Sequence, residues 1–424
     1  MTYLNLDPSL KYIEGTQRVF NEQKTLEVTE SSLKSIGVTR IANITDLDRV
    51  GIPVYSAIRP SAAKGAISVY SGKGPTHNQA RISAIMESFE RCLAERATEN
   101  MDVKGEPNLT NFIDTYDNAV QEHTVLSPQS LLLPEPGSSD ILMEWTQSFD
   151  ILNNEECFVP SNAVYHPYNP PGRSHKLFRS NTNGLAAGNV LEEAVLHGLL
   201  EVIERDALSM AEFNRNPGKE LILDPDDGFN YELVQRFRDE GIDIRIWLLE
   251  HDLGIPTFVA ATDDIKLKDP AMLVMGAGSH LRPDIAVRRA VSEAAQSRVV
   301  QIHGAREDTD RESFVRQIGY DRMKRMNRFW YEDGDTVKLE DIKDISTDSP
   351  ITNIETIINM LKGITERILV SDLSRADVSV PVVRVIVPEF EQYTLDRERI
   401  GARMKVIKKR TIPKNERPWR KHKR

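Results

Sequence analysis

Three features of the 424-residue sequence predict a mixed α/β fold, with helices and sheets combined in an α+β arrangement. Short β-rich runs alternate with amphipathic helical runs along most of the chain. No internal period of the solenoid or propeller kind replaces that alternation. One late run, VPVVRVIVPEF (380–390), is almost continuously apolar and is therefore expected to be a strand buried on both faces. With 40% hydrophobic and 28% charged residues, the chain can bury one large core or two ordinary ones.

Taken in order, residues 66–74 (AISVYSGKG) form a strand-like run ending in a glycine turn. Residues 76–97 (THNQARISAIMESFERCLAERA) carry a helical period, with Thr76 as the cap. Two stretches read as loops: 106–144, and 165–175 (YHPYNPPGRSH), whose proline density excludes helix or central strand. A long helix starts at Leu191. Residues 244–251, 257–264 and 271–280 read as strands, and 282–305 as the helix after them. The charged stretch from about residue 310 to Ser349 is expected to be a surface excursion. A P-loop is absent, since GxxxxGK[ST] does not occur, and the GAG of 276–278 reads as a turn rather than a dinucleotide fingerprint.

Composition narrows the function classes. Only Cys92 and Cys157 occur, in no zinc-ligand or CxxC spacing, so neither a disulfide framework nor a thiolate-held metal is expected. Cys92 reads as a buried, inert thiol. A signal peptide and a bilayer-length apolar run are both missing, which gives a cytoplasmic expectation without a membrane partner. The net charge of −10 argues against nucleic acid as the main partner. The basic run 404–424 reads as a solvated tail or a docking arm for an acidic partner or a neighbouring subunit.

The chemistry concentrates on three acidic helices. In LEEAVLHGLLEVIERDA (191–207), Glu193, His197, Glu201 and Glu204 fall within an arc of about 80° at helical spacing. Val195, Leu196, Leu199, Val202 and Ile203 form the opposite, apolar side. SAIMESFER repeats the theme with Ser83, Glu87 and Glu90, followed by Arg91 just as Glu204 is followed by Arg205. A third helix offers Arg289, Glu293, Gln296 and Ser297 on overlapping faces. Taken singly, each stripe reads as a solvated face. Like charges at these spacings nevertheless oppose helix formation. Carboxylates converging from three helices would form a cage for Mg²⁺ and polyphosphate, with Arg91 and Arg205 neutralising it or gripping phosphate oxygens. His197 on the same stripe reads as readily as a hydrogen-bonded bystander.

Four long blocks in order resemble the YcaO superfamily: residues 36–60, 71–96, 181–207 and 276–298. The resemblance implies an ATP-dependent enzyme that activates a peptide backbone amide, with an ATP site lined by acidic helices. It further implies nucleotide contacts from Lys11, Thr16, Ser83, Glu87, Arg91, Asn189, Glu193 and Arg205, and Mg²⁺ ligands from Glu87, Glu90, Glu201, Glu204 and Glu293. The expected layout is an N-terminal segment (1–60) packed on the core, a catalytic domain (61–400) and a basic tail (401–424). The end of the sequence lacks the PxPxP pattern of azoline-forming members, and only about 35 residues precede the first block, too few for a fused recognition domain. The likeness is therefore to the stand-alone branch of methanogens that forms thioglycine in methyl-coenzyme M reductase, with a TfuA-type partner, a sulfide source and a homodimeric state expected. Azoline or amidine formation on a ribosomal peptide, and a non-catalytic role assisting ribosomal protein methylthiolation, are the competing readings.

Overall fold

The computed structural model describes residues 4, 6–14, 16–96, 109–134, 140–305 and 311–404. Its strands form three sheets. The first is antiparallel, in the order β1 (Arg40–Asn43), β2 (Val54–Ile58), β3 (Val69–Lys73). Hairpin β2–β3 spans residue 60, so the boundary expected there falls inside a sheet. The second sheet has six strands: β4 (Asn111–Asp114), β5 (Met143–Asp150), β6 (Glu155–Pro160), β7 (Leu185–Ala187), β13 (Leu369–Asp372) and β14 (Val382–Ile386). Its order is β4-β5-β13-β14-β7, with β6 paired to β5. The third, ordered β11-β10-β9-β8-β12, contains β8 (Lys219–Ile222), β9 (Asp243–Leu248), β10 (Thr257–Asp263), β11 (Met275–Ser279) and β12 (Thr336–Lys338).

Strands β3, β7 and β11 are each the terminal strand of their sheet, and each leads into a long helix. These are α2 (His77–Leu93), α4 (Leu191–Asn214) and α6 (Pro283–His303); α1 (Glu22–Ser32) and α3 (Tyr116–Glu122) complete the N-terminal half, with α5 (Phe229–Asp239) between α4 and α6. Thr76 caps α2 as expected, accepting from Gln79 N–H at 3.3 Å. On α4 the apolar side is buried throughout: Val195, Leu196, Leu199, Val202 and Ile203 pack with β14, which is itself buried at every residue. Burying such side chains is worth roughly 1.5–3 kcal/mol each, which holds the polar face of α4 in a fixed place.

The GAG segment lies inside β11 rather than in a turn. A Cβ on Gly276 would stand 2.2 Å from the Ala294 nitrogen, and one on Gly278 would stand 2.3 Å from the Ala286 oxygen. Glycine is required because α6 is laid backbone-close on the strand through Ala286, Ala290 and Ala294.

Two further expectations need correction. Within 106–144, residues 109–134 and 140–144 carry β4, α3, a 3₁₀ turn at Pro128–Leu131 and the start of β5; Phe112 and Tyr116 anchor this part on Trp145. The charged stretch before Ser349 is not an excursion. It contains α7 (Arg311–Ile318), α8 (Tyr320–Met326) and β12, which adds in parallel to β8, and Trp330 is buried with its carbonyl accepting from Trp247 Nε1 at 3.1 Å. Few apolar residues sufficed because they cluster at Phe329–Tyr331. Helix α9 (Pro350–Leu361) then packs on α4. Residues 165–175 have no regular structure, as expected, and of the basic run 404–424 only Met404 lies within the described residues.

Candidate nucleotide site

Where the three terminal strands meet, a cleft of about 1740 Å³ opens, with Ser71 and Lys73 of β3, Ala187 of β7 and Gly276 of β11 on its lining. A single small-molecule site occupies roughly 300–1,000 Å³, so this one has room for two reactants. Helices α2, α4 and α6 supply the acidic wall. Ser83, Glu87, Glu90, Arg91, Asn189, Glu193, Glu201, Glu204, Arg205 and Glu293 all line it, and Thr16 reaches it from the N-terminal segment. Lys11 does not belong to this lining: it is exposed, and its Nζ lies 2.8 Å from Asp348. A short stretch of sequence gave no means of placing it.

The carboxylates are held individually, largely by strand-end backbone. Glu90 Oε1 accepts from Ala187 N–H at 2.9 Å. Glu204 Oε2 accepts from Ser279 N–H at 3.1 Å, and Glu293 Oε1 from Ala277 N–H at 3.4 Å, so two helices grip successive outward amides of β11. Glu193 accepts from Val19 N–H at 2.6 Å and from the Asn189 side chain at 2.9 Å, while Thr25 Oγ1 donates to Asn189 at 2.8 Å. These bonds tie residues 16–25 down as one wall of the cleft. Glu87 pairs with Arg91 at 3.1 Å. Glu201 has no hydrogen-bond or ion-pair partner among the described residues. Among them, too, no three His, Cys, Asp or Glu side chains stand close enough to form a metal cluster. The expected point-like cage is therefore a wall, with its carboxylates spread along the cleft by their backbone partners.

This wall is electrostatically unbalanced. Burial, with Glu201 and Glu87 acting in the same direction, pushes the Glu90 carboxyl up to about 8. Burial raises Glu201 as well, against the attraction of Arg205. Glu293 is the exception: despite burial, Lys73 and Arg205 hold its carboxyl below the usual range. Lys73 reaches Glu293 from β3 in a direct ion pair. Sequence reasoning missed Lys73; a lysine between glycines at a strand end, SGKG, was the available signal, though nothing local showed which helix it would face.

Cations share the lining with the carboxylates. Arg18, Arg282, Arg288 and Arg289 line the same cleft. Arg289 Nη2 donates to His197 Nε2 at 3.2 Å, and Arg289 Nε and Ser292 Oγ are buried without a partner among the described residues. His280 Nδ1 accepts from Arg282 N–H at 3.0 Å, and burial followed by the Arg289 charge lowers its imidazole to about 3. Both histidines are thus neutral supports for arginines. Cys92 is half-buried, and burial pushes its thiol up, away from nucleophilic character.

The donor set fits Mg²⁺ and a polyphosphate. Hard carboxylate oxygens, one of them unpartnered and two raised by burial, gain from a divalent cation. Orphaned guanidinium and hydroxyl groups on α6 gain from phosphate oxygens. Glu87, Glu90, Glu201, Glu204 and Glu293 are the carboxylates among which a metal would find its protein ligands, no more than two at any one point.

Comparison with known proteins agrees. The model of the family described as YcaO cyclodehydratase, ATP- and Mg²⁺-binding, matches residues 71–391. An uncharacterized protein of Methanothermobacter thermautotrophicus is 48% identical over 388 residues, covering 90% of this chain and 97% of its own. An uncharacterized protein from the tfuA 3′ region of Rhizobium leguminosarum bv. trifolii is 30% identical over 395 residues, with 88% of each chain covered. The structure of YcaO from Methanopyrus kandleri bound with AMPPCP and Mg²⁺ superposes with a TM-score of 0.73 at 31% identity, covering 91% of this chain and 95% of that one. No helix among the described residues is long and apolar enough to cross a membrane. The chain belongs to the YcaO family of ATP-dependent enzymes and carries its ATP- and Mg²⁺-binding domain.

Proposed function

We propose that the protein activates a backbone amide with ATP and exchanges its oxygen for sulfur, forming a thioamide, with a glycine of methyl-coenzyme M reductase as the acceptor. The observation that carries amide activation is that one cleft is lined by three acidic helices together with Lys73 and the arginines of α6. Methanogen ancestry is supported by the 48% identical Methanothermobacter relative, and a TfuA-type partner by the position of the Rhizobium relative beside tfuA.

Hydrosulfide adds to the carbonyl carbon, forming the C–S bond and placing the electron pair on oxygen. That oxygen takes the γ-phosphoryl group of ATP and departs as hydrogen phosphate, carrying the sulfur's proton, as C=S forms and ADP is released. ATP thus supplies the group that turns a poor leaving oxygen into a good one. The residues of the chain bind, orient and neutralise: the carboxylate wall would hold the metal, and Arg289, fixed by His197, would together with Lys73 neutralise the charge that develops. No protein nucleophile is required, in keeping with the raised thiol of Cys92.

The description of the matching family as a cyclodehydratase favours azoline formation as the second reading. Mass spectrometry of a glycine-containing peptide incubated with protein, Mg²⁺-ATP and sulfide separates the two. Replacement of one oxygen by one sulfur supports thioamidation; loss of water from a Cys- or Ser-containing peptide supports azoline formation instead.

A further inference from the structure

The cleft-facing stripe of α4 changes character along its length. From Glu193 to Arg205 it is charged; beyond, the apolar Leu208 and Phe213 join the lining beside Glu212 and Arg215. At 1.5 Å per residue, the eight residues from Arg205 to Phe213 span roughly 12 Å, enough for several residues of extended chain. Two segments wall this end. One follows β14 and is strapped along α4: Glu391 N–H donates to Asp206 at 2.7 Å, Thr394 N–H donates to Ser209 at 3.3 Å, and Tyr393 meets Phe213 edge to face at 5.4 Å. The other is α8 with the turn after it, which brings Met326 and Phe329 to the cavity. Met326 and Leu395, one on each wall, are 50% and 43% exposed, unusual for large apolar side chains facing a cleft. Arg215 and Arg397, both exposed on the lining, have no ion-pair partner among the described residues.

The geometry points to this end as the binding subsite for the acceptor chain: an extended peptide segment with a large apolar or aromatic side chain seated between Phe213 and Phe329, and an acidic residue beyond it meeting Arg215 and Arg397. This assignment rests on the proposed amide activation and deepens it. The same proposal puts the nucleotide base at the other end of α4, where Phe20, with Lys24 Nζ 3.6 Å from its ring centre, lines the cleft together with Gln17, Asn21 and Asn189. A phosphoryl acceptor must approach the γ-phosphate from the side away from the base, and the apolar end is continuous with the carboxylate wall on that side.

The test uses the full chain with Mg²⁺-AMPPCP and a set of capped hexapeptides, Ala-Gly-X-Ala-Glu-Ala, with binding measured by equilibrium dialysis. Peptides with X = Phe, Tyr or Leu are expected to bind about tenfold more tightly than those with X = Ser or Lys, from burial of one large side chain. Phe213→Ala should erase that preference, and the exposed Arg397→Ala, which cannot unsettle the core, should weaken these peptides but not their counterparts with Gln in place of Glu. Affinity for Mg²⁺-AMPPCP should be unchanged in both variants. No detectable peptide binding, or a preference that survives Phe213→Ala, overturns the assignment. Loss of AMPPCP affinity in Phe213→Ala overturns it in favour of the nucleotide base. If the unaltered protein binds no Mg²⁺-AMPPCP, it is the proposed amide activation that fails, a result separate from any peptide preference.

Discussion

Arg289 donates to His197 across the cleft at 3.2 Å, joining α6 to α4. Guanidinium groups only donate, so the Nε2 atom of His197 accepts and the ring is neutral, with its proton assigned to Nδ1. Burial pushes this imidazole well below its ordinary value, and Arg289, Arg18 and Lys73 push in the same direction. The side chain that looks most catalytic in the sequence is therefore a positioning residue for a cation.

His197→Ala should weaken Mg²⁺-ATP binding by about tenfold, the worth of one hydrogen bond to a charged group. The pH–rate profile between pH 5 and 8 should keep its shape, because the native ring is already neutral throughout that range. Disappearance of a limb in that range would show His197 to be an acid or base instead.

Glu201 has no hydrogen-bond or ion-pair partner among the described residues and is raised by burial. Glu201→Gln should therefore abolish Mg²⁺-ATP binding in titration calorimetry while the melting temperature of the nucleotide-free protein stays level or rises. Glu87→Gln should also abolish binding, with its fold intact by circular dichroism. Unchanged nucleotide affinity in either variant removes that carboxylate from the site.

With its carboxyl near 8, Glu90 is mostly protonated at pH 7, and a cation bound beside it favours the ionised form. Binding of Mg²⁺-AMPPCP should release up to one proton at pH 7, and affinity should climb from pH 6 to 8 before levelling. Calorimetry in two buffers of different ionisation enthalpy counts the proton; Glu90→Gln should eliminate it. An equal heat in both buffers for the unaltered protein refutes the assignment.

His280, lowered to about 3, is buried and neutral. Below pH 6.5 the unfolded chain protonates this residue and the folded chain does not. Its contribution to stability is therefore complete above pH 6.5 and falls by about 1.4 kcal/mol per pH unit on acidification. Glu90 has the opposite sign, since the folded state stays protonated up to about 8 while the unfolded state ionises above 4.5; acidification through that range favours the fold. Urea unfolding at pH 6.5 and 5 should show a shallower decline in His280→Gln and a steeper one in Glu90→Gln. The same pH dependence in both variants would contradict these buried states.

Local periodicity determined much of this molecule. The acidic stripes at i,i+3 and i,i+4, the Thr76 cap, the helices α2, α4 and α6 and the doubly buried β14 are all written within single segments, and the cleft carboxylates Glu87, Glu90, Glu193, Glu201, Glu204 and Glu293 are legible on that basis. Spacing within one helix cannot say what lies opposite. Tertiary structure alone decided that Lys73 pairs with Glu293, that Val19 and Asn189 restrain Glu193, and that the edge of β11 separates Glu204 from Glu293 instead of letting them meet at one point. It also drew the charged stretch 311–349 into a wall of the cleft through a few aromatic anchors, and left Lys11 outside. The physical reason is range: helical period and capping act over a few residues, whereas these pairings join groups up to 220 residues apart, whose meeting depends on how three sheets share one centre.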